Sequence, residues 1–219
     1  MALGPTGSNA IEGSNVNSLH FLGKEKNSFS NSSYINKEIL KNRNSLKTFL
    51  EIDQFSTEKI IDLKKNLKKL PTNIQIPKGQ LAKQTSTALQ IINTDSPPTF
   101  IQMELGGFDT HQNQITRQNK LLKELSENIY FLKNGAEKLN KNIELNIVVT
   151  SEFGRRLKEN GTNGTDHGSA SVAFLVGDAF SEQFIGKYPD LNSLDNRGDL
   201  IPNISPSNLY DYIQKKIWG

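Results

Sequence analysis

Three short polar clusters hold the residues of this sequence best suited to chemistry. The first is Gly106-Gly107-Phe108-Asp109-Thr110-His111. The second is Ser151-Glu152-Phe153-Gly154-Arg155, and the third is Gly161-Thr162-Asn163-Gly164-Thr165-Asp166-His167-Gly168. Two of the three histidines of the chain lie here, each within two residues of an aspartate, and Glu152 adds a further carboxylate. Carboxylate oxygen and imidazole nitrogen without thiolate suit Zn²⁺, Mn²⁺, Fe or Mg²⁺ rather than a soft metal. Asp109, His111, Asp166 and His167 are therefore candidate metal ligands for one or two divalent cations. Such ions polarise ester oxygens and activate attacking groups. Glu152 is a candidate ligand or general base, and Arg155 a candidate for neutralising a developing oxyanion through its planar fork.

Each residue also has a plainer use. Asp109 is a favoured helix cap ahead of a helix near Asn113. Asp166-His167-Gly168 has the composition of a turn. Glu152 and Arg155 can form a structural ion pair, and His20 reads as an exposed loop residue. What argues for chemistry is the joint placement of the clusters beside predicted strands.

The elements that must position them follow from periodicity. Residues 1 to about 32 are rich in Gly, Ser and Asn and read as loop or extended chain. Helical spacing follows at Ile35, Ile39, Leu46, Phe49 and Leu50. It recurs from Ser56 to Leu70, where Pro71 stops it, and again over about 79–93. The basic face Lys64, Lys65, Lys68 and Lys69 reads as a solvated helix face. After Pro97-Pro98 the pattern predicts a strand at 99–105, a long helix at about 113–140 and a buried-type strand at 145–150. A third apolar run, 172–176, and an amphipathic helix from Pro206 to Trp218 close the chain. Strand, crossover helix and strand predict a βαβ unit with parallel strands. The first two clusters would then sit at carboxyl ends of strands, where open α/β sheets bind ligands. The expected fold class is α/β, a mainly parallel sheet flanked by helices. Residues 1–95 form a polar, helix-containing N-terminal segment, and residues 96–219 carry the metal-site half.

Composition limits the alternatives. The 219 residues suffice for one substantial domain, and 35% hydrophobic content with a mean hydropathy of -0.53 is low for a large core. The absence of cysteine excludes disulfides, thiolate metal sites and thiol nucleophiles. A net charge of +3 gives no case for nucleic acid, and no apolar run is long enough for a membrane span. The opening Met1-Ala2-Leu3-Gly4-Pro5 lacks the basic and apolar regions of a signal peptide and reads like the interior of a longer protein.

The motifs as a set resemble the bacterial domain-of-unknown-function-1501 family. They are Gly-Gly-Phe-Asp-Thr-His (106–111) with Gln114, Thr-Ser-Glu-Phe-Gly-Arg (150–155), Asn160-Gly161 and Gly-Thr-Asp-His-Gly (164–168). Gly186 to Leu191 and the closing Tyr210-to-Trp218 segment fit as well. The resemblance is strong over about 95–219 and loose before it. That family is similar to the alkaline phosphatase and sulfatase superfamily, which hydrolyses phosphate or sulfate esters with divalent metals. The resemblance therefore implies an alkaline phosphatase-like sheet, a Zn, Mn or Mg cofactor, a small anionic ester substrate and an exported, periplasmic protein. His167 is its leading ligand, followed by Asp109, His111, Asp166 and Glu152.

Two departures from the superfamily pattern stand out. Glu152-Phe153 occupies the place of an Asp-His pair. No strand ending in Gly-Gly-x-Asp, the usual site of the first ligand and nucleophile, lies in residues 1–95, so the fold is expected to be incomplete. Thr110 and Ser151 are weak substitutes as nucleophiles. Two functions stay open: the C-terminal part of a metal-dependent hydrolase, or a non-catalytic binding or scaffold protein that retains the fold.

Overall fold

The computed structural model describes residues 2–3, 20–21, 44–139, 142–182 and 184–219. The chain forms two units, one of Met1–Leu105 with Tyr130–Lys141 and one of Gly106–Ile129 with Asn142–Gly219.

In the first unit, β1 (Ala2–Leu3) pairs in parallel with β2 (His20–Phe21) and with β3 (Gln102–Met103). Helix α1 (Asn44–Asn66) is continuous across the boundary between the two helices expected there. Ile35 and Ile39 lie outside the described residues. Helix α2 (Gln80–Ile92) follows Gly79, whose φ of 119° suits glycine, and ends where the Asn93 and Thr94 amides donate to the Leu89 and Ile91 carbonyls. Its buried positions Leu81, Ala82, Thr85, Ala88, Leu89 and Ile92 recur at three- and four-residue steps, which puts them on one stripe. Thr85 is tolerated there because its hydroxyl bonds the Leu81 and Ala82 carbonyls. Phe131, Leu132 and Ala136 of α3 (Gln114–Lys138) complete this core. Gly135 lets α3 approach closely here, since a Cβ there would push the Leu89 side-chain methyls aside.

The second unit holds two small antiparallel sheets. Strand β4 (Ile147–Val149) pairs with β7 (Phe174–Val176), and β5 (Gly154–Glu159) pairs with β6 (Thr165–Gly168). Helix α4 (Pro206–Trp218) is capped by Ser205, whose hydroxyl accepts from the Asn208 amide, with Pro206 in the first turn. Ile213 is the one buried hydrophobic side chain among the described residues of this unit, beside buried Thr110, Asn128 and Asp199. Hydrogen bonds and ion pairs therefore carry much of its definition. Asp199, 4% exposed, meets Arg156 Nε at 2.9 Å. On α4, Tyr212 and Lys216 both reach the Glu182 carboxylate at 2.7 Å.

This architecture corrects the expected fold class. The described residues form a mixed α/β structure with four helices, not a mainly parallel, alkaline phosphatase-like sheet flanked by helices. Parallel pairing is confined to two-residue strands. The segment at 99–105 pairs with β1, and the segment at 145–150 pairs antiparallel with β7, so the expected strand–helix–strand pair is replaced by two other pairings. The run expected to be buried is half-covered as well. Val148 is 37% exposed, so the face it stands on is only partly covered. No helix among the described residues is long and apolar enough to cross a membrane.

Candidate functional site

The site is built on the β5–β6 hairpin and the loop before α3, all within the second unit. The hairpin places Gly154 opposite Gly168 and Arg155 opposite His167. Its turn, residues 160–164, is organised by one side chain. Asn160 Oδ1 accepts from the Thr162 and Gly164 amides, and Asn160 Nδ2 donates to the His111 carbonyl at 3.0 Å. Thr162 donates its hydroxyl to the same carbonyl at 2.7 Å. Gly164 packs so closely against the backbone of His111 that a Cβ would collide with it. The turn also caps α3, its Thr162 and Asn163 carbonyls accepting from the Asn113 and Gln114 amides. Asp109 is thus free of the capping duty that its type allowed.

Arg155 fastens the other end of the loop. Its guanidinium donates to the carbonyls of Thr165 and Phe108, each at 2.5 Å, and to the Thr110 hydroxyl at 3.2 Å. The expected Glu152–Arg155 ion pair is not what this arginine makes.

Between these ties, Asp109, His111 and His167 converge, each offering one ligand atom, with those atoms within 4.8 Å of one another. Asp109 Oδ1 hydrogen-bonds His167 Nε2 at 2.8 Å and stands 2.9 Å from His111 Nε2. The far nitrogen of His111, Nδ1, meets Asp166 Oδ1 at 3.3 Å. The three side chains are 44–64% exposed, so a solute reaches them. The hydrogen bond from His167, with the charges of His111, His167 and Arg155, holds the Asp109 carboxyl below its usual range. Asn160 first, then His111, does the same for Asp166.

Proton accounting shows what this arrangement needs. A neutral imidazole carries one N–H. If His111 gives its Nδ1–H to Asp166, its Nε2 lone pair faces a carboxylate oxygen across 2.9 Å. Two lone pairs oppose each other there unless a second proton or a cation lies between them. Two imidazole nitrogens and a carboxylate oxygen are a donor set for a borderline divalent cation, and a carboxylate behind a ligating imidazole is its usual support. The donor set therefore fits a divalent metal.

The remaining expected residues stand apart. Glu152 is exposed and does not join the converging group. Thr110 is 1% exposed, and the Ser151 hydroxyl donates to the Phe153 carbonyl at 2.8 Å. Sequence reasoning gave no role to Phe153, whose ring stacks on His167 with centroids 4.0 Å apart and planes at 12°. The hairpin it heads is not legible in the sequence, so no sequence signal singles it out. In the sequence Asn160 stands out only as part of the Asn160-Gly161 motif.

A family model described as a protein of unknown function, DUF1501, matches residues 13–194. Comparisons with curated proteins and with solved structures gave no match.

Proposed function

The chain belongs to the DUF1501 family, and from that premise we propose that it is part of a divalent-metal-dependent hydrolase acting on small phosphate or sulfate esters. The observation that carries this reading is the convergence of Asp109, His111 and His167, with Asp166 behind His111. The reaction class is suggested by the similarity of that family to the phosphatase and sulfatase superfamily. Asp109, His111 and His167 would hold the cation, and Asp166 would fix the His111 tautomer with Nε2 turned to the metal. When bound, a Zn²⁺, Mn²⁺ or Mg²⁺ ion supplies Lewis-acid polarisation of an ester oxygen. Arg155 supplies fixed positive charge beside Asp109 and holds the ligand loop on the hairpin. Glu152, exposed and outside the converging group, is the general-base candidate. We assign no side-chain nucleophile, since Thr110 is buried and the Ser151 hydroxyl is engaged.

The test is hydrolysis of aryl phosphates and aryl sulfates by the purified chain with Zn²⁺, Mn²⁺ or Mg²⁺. Turnover that requires metal and is lost in Asp109→Asn supports the reading, with Glu152→Gln as the check on the base. The engaged Ser151 and the carbonyl-bound Arg155 favour a second reading, a metal-binding scaffold without turnover. Stoichiometric metal with no hydrolysis of either ester selects that one.

A further inference from the structure

Phe153 occupies a position that neither the metal group nor the hairpin pairing requires to be aromatic. Its ring nonetheless lies nearly parallel to the His167 imidazole, 12° off and 4.0 Å away between centroids. The Arg155 guanidinium carbon lies 5.3 Å from the Phe153 centroid, so cation, phenyl and imidazole are grouped. The backbone on both sides of Phe153 is tied down. Its carbonyl accepts from Ser151, and Gly154 is packed against the Ala170 carbonyl so tightly that a side chain there would collide.

The second torsion of histidine is broad and roughly two-fold, so an imidazole at a half-exposed position swivels unless something holds its plane. Hydrogen bonding of Nε2 to Asp109 fixes one atom of His167 but leaves rotation about that contact. A flat stack removes this freedom while leaving the Nε2 edge open, because stacking uses the ring face and both hydrogen bonding and metal binding use the in-plane lone pair.

We infer that Phe153 is a positioning residue, its ring holding the His167 imidazole in the plane that keeps Nε2 on Asp109. The part of this inference that concerns metal rests on the reading above, so the experiment carries a readout that does not.

The full chain is compared with Phe153→Leu, Phe153→Met and Phe153→Tyr. NMR follows the ring C–H resonances of His167, and titration with Zn²⁺ alone follows affinity. The stack places the His167 ring protons in the shielding cone of the phenyl ring. They are expected upfield in the wild type and in Phe153→Tyr, and at ordinary positions in the two aliphatic variants. Zn²⁺ affinity is expected to fall about 10-fold in the aliphatic variants, the scale of a lost second-layer support, and to be retained in Phe153→Tyr. Unchanged His167 shifts in folded Phe153→Leu or Phe153→Met overturn the inference, as does Zn²⁺ affinity equal to wild type in both. A wild-type chain that takes up no Zn²⁺ sinks the metal reading alone. The nitrogen shift of His167 Nε2, which reports its hydrogen bond to Asp109, then decides the role of Phe153, since loss of the ring-current shift alone shows only that the phenyl ring is gone.

Discussion

Asp109 Oδ1 lies 2.8 Å from His167 Nε2, across a sequence separation of 58 residues. The contact depends on two ties that involve neither residue, namely Arg155 on the Phe108 carbonyl and the Asn160 turn on the His111 carbonyl. The site is thus a loop and a hairpin held in register, and each tie can be cut separately.

Removing a ligand should abolish tight metal binding while sparing the fold. His167→Ala and Asp109→Asn are each expected to weaken Zn²⁺ binding by at least about 100-fold, beyond the roughly 10–100-fold cost of a lost supporting residue. Calorimetric titration measures the affinity, and circular dichroism checks that the helices persist. Wild-type affinity in either variant sinks the ligand assignment.

Asp166→Asn should be milder. The amide can still accept a hydrogen bond from His111 Nδ1 but no longer offers charge, so Zn²⁺ affinity is expected to fall roughly 10-fold. Ligand-like loss, as large as that of Asp109→Asn, would move Asp166 from behind His111 into direct contact with the ion.

The turn gives a stability prediction. Gly164→Ala drives a methyl group into the His111 backbone, and such overpacking typically costs about 1–3 kcal/mol. Urea unfolding measures the loss. Gly161→Ala serves as control, since nothing lies within 4 Å of a Cβ at that position.

Acid should loosen α4 through Glu182. Lys216 and then Tyr212 hold this carboxyl down to about 2, from an ordinary value of 4.5. A folded-state pKa below the unfolded one contributes stability in full above pH 4.5, and that contribution is lost as pH falls toward about 2. The sole tryptophan, Trp218, lies on the same helix and reports the change by fluorescence. Glu182→Gln is expected to flatten the acid limb of stability between those two values. An acid limb identical to wild type would remove Glu182 from that role.

What the sequence revealed follows the range of the forces involved. Helices α2, α3 and α4 were legible because a 3.6-residue stripe and its caps are local, and each lies within two residues of its expected bounds. Strand partners were not legible. The runs at 99–105 and 145–150 look alike as sequence, and which neighbour each takes is a long-range choice. The β5–β6 hairpin escaped because Arg155-Arg156-Leu157-Lys158-Glu159 and Thr165-Asp166-His167-Gly168 show no apolar alternation. Its pairing rests on the Asn160 turn and on glycines at the Gly154–Gly168 pair. In the site, residue type was enough to nominate Asp109, His111 and His167. It did not separate Asp166, which meets the far nitrogen of His111, from the three that converge, nor reveal that Phe153 covers the His167 ring.

The sparse apolar interior of the second unit has a calorimetric consequence. The heat capacity increase on unfolding comes from exposing apolar surface, while exposing polar surface lowers it. A unit whose described residues bury one aliphatic side chain, Ile213, beside Thr110, Asn128 and Asp199 should unfold with a smaller increment per residue than the unit packed around Leu89 and Ile91. Its stability curve would then be broad and flat, and the loop and hairpin that hold Asp109 against His167 would keep their geometry nearly unchanged on cooling.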